Sequence, residues 1–262
     1  MLEAIPLFFH VDETWVVVDN CRPETRIPDL LLMELDLDAL GERASRGLLR
    51  PLKKSELTVL RVLRTDRGMV LDTICSKTGM RREAVRRVLS MLKSDGYVRQ
   101  MGKASFARCV SAKSVAKRII SIEMKRSDWR GALSQANAHQ RFAHEAFVVF
   151  DSHYRPRFAR SLPRFRMMGV GLIELDARDG NHSRLLPARK SRPLDSTAKT
   201  LAGEKLLAAL QGFTMPVLPE TRLRDVPAQT SCRAALPQHR GRLGRRLPRR
   251  LAVSLPQLAA LL

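Results

Sequence analysis

Glu123 and Lys125 stand two residues apart at the end of the apolar run KRIISIEMK, residues 117–125. Side chains alternate along a strand, so residues two apart share one face. A carboxylate in that place can hold Mg2+, and an ammonium beside it can stabilise developing charge or orient an attacking water. Any exposed strand face can carry the same two letters, so the pair takes its meaning from its surroundings. Mg2+ is held through one or two carboxylates, and a second one would have to come from elsewhere in the chain. Residues 100–122 contain no acid at all, and the nearest good candidate upstream is Asp29, after Pro28 in RIPDLLLME. It lies 94 positions earlier (123 − 29), far more than a hairpin requires.

The elements that must position these residues are legible as patterns. TWVVVD (14–19) is β-branched and apolar and reads as a strand, and RIPDLLLME (26–34) as a second. Pro28 cannot donate a ladder hydrogen bond, so it belongs at that strand's start or on an edge. After KRIISIEMK, DWRGALSQANAHQRFAH (128–144) reads as a helix capped by Asp128, followed by the strand EAFVVFD (145–151). RPRFARSLPRFRMM is a basic connection, and VGLIELDA (170–177) closes the series as a strand.

Between Asp29 and Glu123 the period changes. Residues 35–52 are mixed and end near Pro51, a domain junction. SELTVLRVLRT (55–65), MVLDTICSKTG (69–79) and RREAVRRVLSMLKSDG (81–96) then read as three helices. Two short alternating strands follow, around Met101–Ala104. Gly79 permits the sharp reversal between the second and third helices. This stretch resembles the winged-helix domains of bacterial transcription regulators. The resemblance makes the third helix a recognition helix, with Arg81, Arg82, Arg86, Arg87 and Lys93 toward DNA and Arg99, Lys103 and Arg108 on the wing. Arginine at such a surface pairs phosphates or forks onto guanine edges.

Residues 117–177 resemble the core of the PD-(D/E)XK, or restriction-endonuclease-like, superfamily: the strand ending IEMK, then a helix, FVVF and VGLIEL in order. The helix of that family often bears a glutamine with an aromatic residue four positions on; Gln135 fits, and His139 stands where tyrosine is usual. The resemblance implies a metal site of Asp29 and Glu123, with the Met124 carbonyl as third ligand and Mg2+ as cofactor. Lys125 would act on the water, and Gln135 would orient Lys125 or a phosphate. It also implies that the helical module is inserted between two neighbouring strands of one core.

The expected fold is α+β: a winged helix combined with a mixed-sheet restriction-endonuclease-like α/β core. Core strands fall in 1–49, the DNA-binding module in 50–112 and the remaining core in 113–180. Residues 181–262 read as a basic, Arg/Pro-rich, largely disordered tail, since eight of the 14 prolines lie beyond residue 180. The expected function is DNA binding with Mg2+-dependent phosphodiester cleavage. The alternative is a non-enzymatic regulator or DNA adaptor with an inactive nuclease-like domain, and a homodimer is open to either.

Composition agrees with a polyanion partner. The 262 residues carry a formal net charge of +21, while 44% are hydrophobic, enough for a core. No apolar run approaches the roughly 18–20 residues of a membrane span. The first residues, MLEAIPLFFHVDE, lack the basic start of a signal peptide. Cys21, Cys75, Cys109 and Cys232 are scattered with no CxxC pair, which argues against structural zinc and fits a reducing cytoplasm. His139, His144 and His153 lack ligand spacing, and Trp129 reads as core.

Overall fold

The computed structural model describes residues 9, 14–19, 28–102, 104–110, 112–176 and 181–211. They form an α+β chain built on a six-stranded mixed sheet and a separate three-stranded one.

The large sheet begins with β1 (Trp15–Asp19) and β2 (Leu30–Leu35), which pair antiparallel. Pro28 is buried just ahead of β2, where no ladder donor is needed. The next neighbour of β2 comes from far along the chain. It is β6 (Ala116–Lys125), antiparallel with Leu30 opposite Ile122 and Leu32 opposite Ile120. β7 (Glu145–Asp151) and β8 (Gly171–Leu175) then add in parallel, and β9 (His182–Leu186) closes the far edge antiparallel. Continuous apolar runs in β2, β6 and β7 reflect burial on both faces of central strands.

Among the described residues, five helices outside the small sheet's unit cover one face of the large one. α1 (Leu37–Ser45) starts where Asp36 Oδ1 accepts the Ala39 N–H at 2.9 Å. α5 (Trp129–His139) is capped likewise by Asp128, and packs Ala132, Leu133 and Ala136 onto Val148 and Phe150. α6 (Arg155–Ala159) and α7 (Leu162–Met168) follow β7 and add Phe158 and Phe165 to the same cluster. The sequence reading has this stretch as a basic connection, and it holds Pro156 and Pro163. Both prolines sit in first turns, where the missing N–H costs nothing. The reading of residues 35–52 as mixed likewise missed α1.

A larger correction concerns residues 181–211. They fall within the expected disordered tail, yet they supply β9 and α8 (Ser196–Gln211), which packs Ala198, Ala202, Leu206, Leu207 and Leu210 against Val16, Leu31, Met33 and Ile119. Burying one such leucine contributes about 1.5–3 kcal/mol, so α8 is part of the fold. The remainder of the expected tail, 212–262, lies outside the described residues.

Between β2 and β6 the chain builds α2 (Lys54–Val62), β3 (Met69–Val70), α3 (Leu71–Thr78), α4 (Arg82–Ser94), β4 (Val98–Met101) and β5 (Ser105–Arg108). Residues 69–70, read as helix from sequence, instead form an edge strand on β5, in the order β3-β5-β4. Gly79, at φ +67°, ends α3 in the left-handed region and allows the turn into α4. Ile74, Val85, Leu89, Leu92 and Tyr97 form the unit's own core, which Leu201 of α8 joins from outside.

Candidate functional site

β2 and β6 converge on one corner. Their ladder ends with Leu30 opposite Ile122, and just beyond it the Asp29 side chain reaches the backbone of the residue after Glu123. Asp29 is half-buried, and its Oδ2 accepts the Met124 N–H at 2.7 Å. That bond ties the carboxylate of one strand to the backbone of the other. Glu123 is 1% exposed. Lys125 Nζ lies 2.7 Å from Glu123 Oε1. The contact is an ion pair without hydrogen-bond alignment, and neither Glu123 oxygen has a hydrogen-bond partner among the described residues. A buried carboxylate with unmet lone pairs is a costly arrangement.

The electrostatics follow from that geometry. Burial pushes the Glu123 carboxyl above its ordinary value, and the Asp29 charge pushes the same way; Lys125 opposes both. The Lys125 ammonium is held above its ordinary range, chiefly by Glu123, against its own partial burial.

Two carboxylates and a strand-end carbonyl are an oxygen-rich donor set. Mg2+ typically binds through one or two carboxylates and keeps several waters. The orphaned oxygens of Glu123 and the adjacent Asp29 fit such an ion, with the Met124 carbonyl as a possible backbone donor. Among the described residues no group of three His, Cys, Asp or Glu side chains gathers, so backbone and water would have to complete the sphere. Gln135 is half-buried on α5, and no hydrogen bond joins it to Lys125 among the described residues.

The cations expected to contact DNA divide into groups. Arg81, Arg82, Arg86, Arg87 and Lys93 are all exposed at the start and along the outer face of α4. Arg82 is ion-paired with Asp72 of α3, and Lys93 Nζ donates to Gln100 Oε1 at 3.1 Å. Arg99 is exposed on β4. Arg108 is different: it is half-buried, and its guanidinium donates inward to the Leu60 carbonyl at 3.4 Å. That bond ties β5 to α2, while part of the side chain stays in solvent. Lys103 lies outside the described residues.

The sequence reading missed the arginines of α6 and α7 and the role of Glu204. Phe158, Leu162 and Phe165 follow one another at steps of four and three, a helical signal that the two prolines obscured. Of the cysteines, Cys75 is half-buried and Cys109 exposed; both are free thiols.

Comparison of the chain with family models, with curated proteins and with solved structures returns no match. No helix among the described residues is long and apolar enough to cross a membrane.

Proposed function

We propose that this chain binds duplex DNA through residues 54–108 acting as a winged helix, and that Asp29, Glu123 and Lys125 form a PD-(D/E)XK-like centre that cleaves phosphodiester bonds with Mg2+. One observation carries the reading: a buried Glu123 whose oxygens lack hydrogen bonds faces Asp29 across strands β2 and β6, and the helical unit is the connection between those strands. The order of elements in that unit, three helices with an edge strand and a terminal ribbon, is the winged-helix order, and α4 carries an open arginine face.

When bound, Mg2+ would supply Lewis-acid stabilisation of the phosphoryl oxygens. Asp29 and Glu123 would hold it through their carboxylate oxygens. Lys125, held beside Glu123 at 2.7 Å, would orient an attacking water by donating a hydrogen bond to it. The water oxygen would bond to phosphorus as the bond to the leaving sugar oxygen breaks, and the proton lost by that water would pass through solvent to the leaving oxygen. The Asp29–Met124 hydrogen bond fixes the spacing of the two strands on which these groups stand.

A second reading, a DNA-binding regulator or adaptor without catalysis, draws support from the absence of a third acidic ligand among the described residues. Supercoiled plasmid and Mg2+ separate the two. The nuclease reading expects nicking by the wild type and a loss of roughly 100-fold or more in Lys125→Ala, in the range for removing one transition-state donor. Binding without nicking would leave the regulator. A mobility-shift titration in which Arg86→Ala with Arg87→Ala binds as tightly as wild type would remove α4 as the contact surface.

A further inference from the structure

We infer that helices α6 and α7 form a second nucleic-acid grip, one that holds the sugar–phosphate backbone of duplex DNA beside the Asp29–Glu123–Lys125 corner. The inference rests on the DNA-binding reading above and names a contact surface that the reading did not include. Residues 155–168 contain five arginines and no acid. Phe158 and Phe165, both 0% exposed, anchor the pair to the sheet, and this leaves Arg157, Arg160, Arg164 and Arg166 in solvent. Arg155 alone of the five forms an ion pair with a carboxylate among the described residues, to Glu174 at 3.4 Å. The others leave net positive charge on one surface, which favours a polyanion.

The position of this surface is fixed by contacts to the site's own elements. Arg164 lies over the Trp129 ring at 5.4 Å, and Trp129 opens α5 four residues after Lys125. Glu174, the partner of Arg155, is level with Phe150 and so with Lys125 across three parallel strands. The arginines therefore flank the carboxyl ends of β6, β7 and β8. Open α/β sheets bind ligands at that end of their parallel strands.

The aromatic side chains decide which part of the nucleic acid is held. Single-strand binders stack bases on open rings. Here Trp129 has Arg130 at 5.3 Å as well as Arg164 over its ring, and Arg157 covers Tyr154 at 5.7 Å. Both rings thus already carry guanidinium groups and are not open platforms for bases. What remains toward solvent is charge and N–H donors, which suit phosphate oxygens and carry no base code.

The test uses the full chain, a labelled duplex and no divalent ion, with anisotropy read across a salt series. The triple variant Arg157→Gln, Arg160→Gln, Arg166→Gln should melt like wild type, because these side chains are exposed. Its slope of log K against log salt should be shallower by roughly 2–3, at about 0.9 per lost phosphate contact, and by the same amount on unrelated sequences. An Arg86→Ala, Arg87→Ala variant runs alongside. If the triple variant keeps the wild-type slope while the α4 variant loses affinity, this inference fails and the winged-helix reading stands. If the triple variant loses affinity while the α4 variant does not, the grip holds and the winged-helix reading fails. A slope change seen only with a single strand, with duplex RNA or with anionic lipid vesicles overturns the inference, and a wild type that binds no duplex overturns both.

Discussion

Arg43 and Glu204, 161 residues apart, meet in a two-pronged ion pair at 2.6 and 3.2 Å. Both side chains are almost fully buried. Glu204 also accepts the Leu52 N–H at 2.8 Å, and Arg43 also donates to the Leu48 and Arg50 carbonyls. One pair thus pins α1, the 46–53 segment and α8 together, under the start of the helical unit. The unit does not simply project from the sheet: Arg61 Nη1 donates to Thr197 Oγ1 at 3.0 Å, and Leu201 enters its core. Arg43→Met or Glu204→Gln should each cost about 3–5 kcal/mol, because the partner is left buried and uncompensated. The double variant should cost less than the two singles added together. Additive losses in urea melts would show that the two groups do not act as a pair.

The place of α8 in the core predicts where the chain can be cut. Among the described residues, Leu210 is the last that α8 adds to that cluster. A chain ending after Gln211 should keep the wild-type melting transition, and one ending after Asp195 should lose cooperative unfolding. Leu206→Ala, at a site 0% exposed, should destabilise by about 2–5 kcal/mol. A cooperative melt from the shorter chain would show α8 to be an appendage.

Glu123 should behave as a group placed at a cost to stability. Its carboxyl is raised in the fold, chiefly by burial, so the fold loses stability as pH rises from the ordinary carboxylate range up through the raised one and keeps that loss at neutral pH. Glu123→Gln should therefore raise Tm by a few degrees at neutral pH without divalent ions, an effect on the order of 1 kcal/mol. Mg2+ should raise the Tm of the wild type and leave the variant unmoved. A lower Tm in the variant, with no Mg2+ response in either protein, would make Glu123 a structural partner of Lys125 and nothing more.

His144 predicts an acid limb in stability. Its Nδ1 accepts the Ile119 N–H at 3.0 Å, which requires that nitrogen unprotonated. Burial, with Lys199 and Arg118 nearby, pushes the imidazole down to about 4. The unfolded chain takes up its proton near 6.5. Stability from this group is thus full above about 6.5 and is lost as pH falls toward 4. His144→Gln should flatten the fall in Tm across that window, and an unchanged acid limb would assign it to other groups.

Much of the fold was legible because strong periods survive tertiary packing. KRIISIEMK, EAFVVFD and RREAVRRVLSMLKS declare themselves through apolar spacing, and the structure puts β6, β7 and α4 there. The adjacency of RIPDLLLME and KRIISIEMK was also readable, from two apolar strands that each needed a neighbour. What failed did so for physical reasons. Proline in a first helical turn looks like a break when the turn is not known, which hid α6 and α7. STAKTLAGEKLLAALQ buries a wide face with small residues and Glu204 among them, so it lacks a clean polar stripe, and basic composition around it masked α8. The difference in exposure between Arg108 and Arg99 was not readable either, since only the approach of α2 half-buries the one and leaves the other exposed. The Asp29–Glu123 corner was foreseeable as residue types. The hydrogen bond from Met124 that sets its spacing was not.

The Asp36 N–H donates to the Val115 carbonyl at 2.9 Å, so everything from 37 to 114 begins and ends at a single backbone contact. This has a consequence for the order of assembly. Joining β2 to β6 through a floppy connection of that length would cost closure entropy before any ladder bond formed. The helical unit is held by contacts of shorter span, such as Met69 with Phe106 and Tyr97 with Leu48, which form faster. Once folded, it delivers the two strand ends to each other as a clasp delivers the ends of a strap. Pulse-labelled hydrogen exchange should find α4 amides protected before those of β2. During synthesis the first two strands must then wait, with their apolar faces uncovered, until the ribosome has released the segment that brings them a partner.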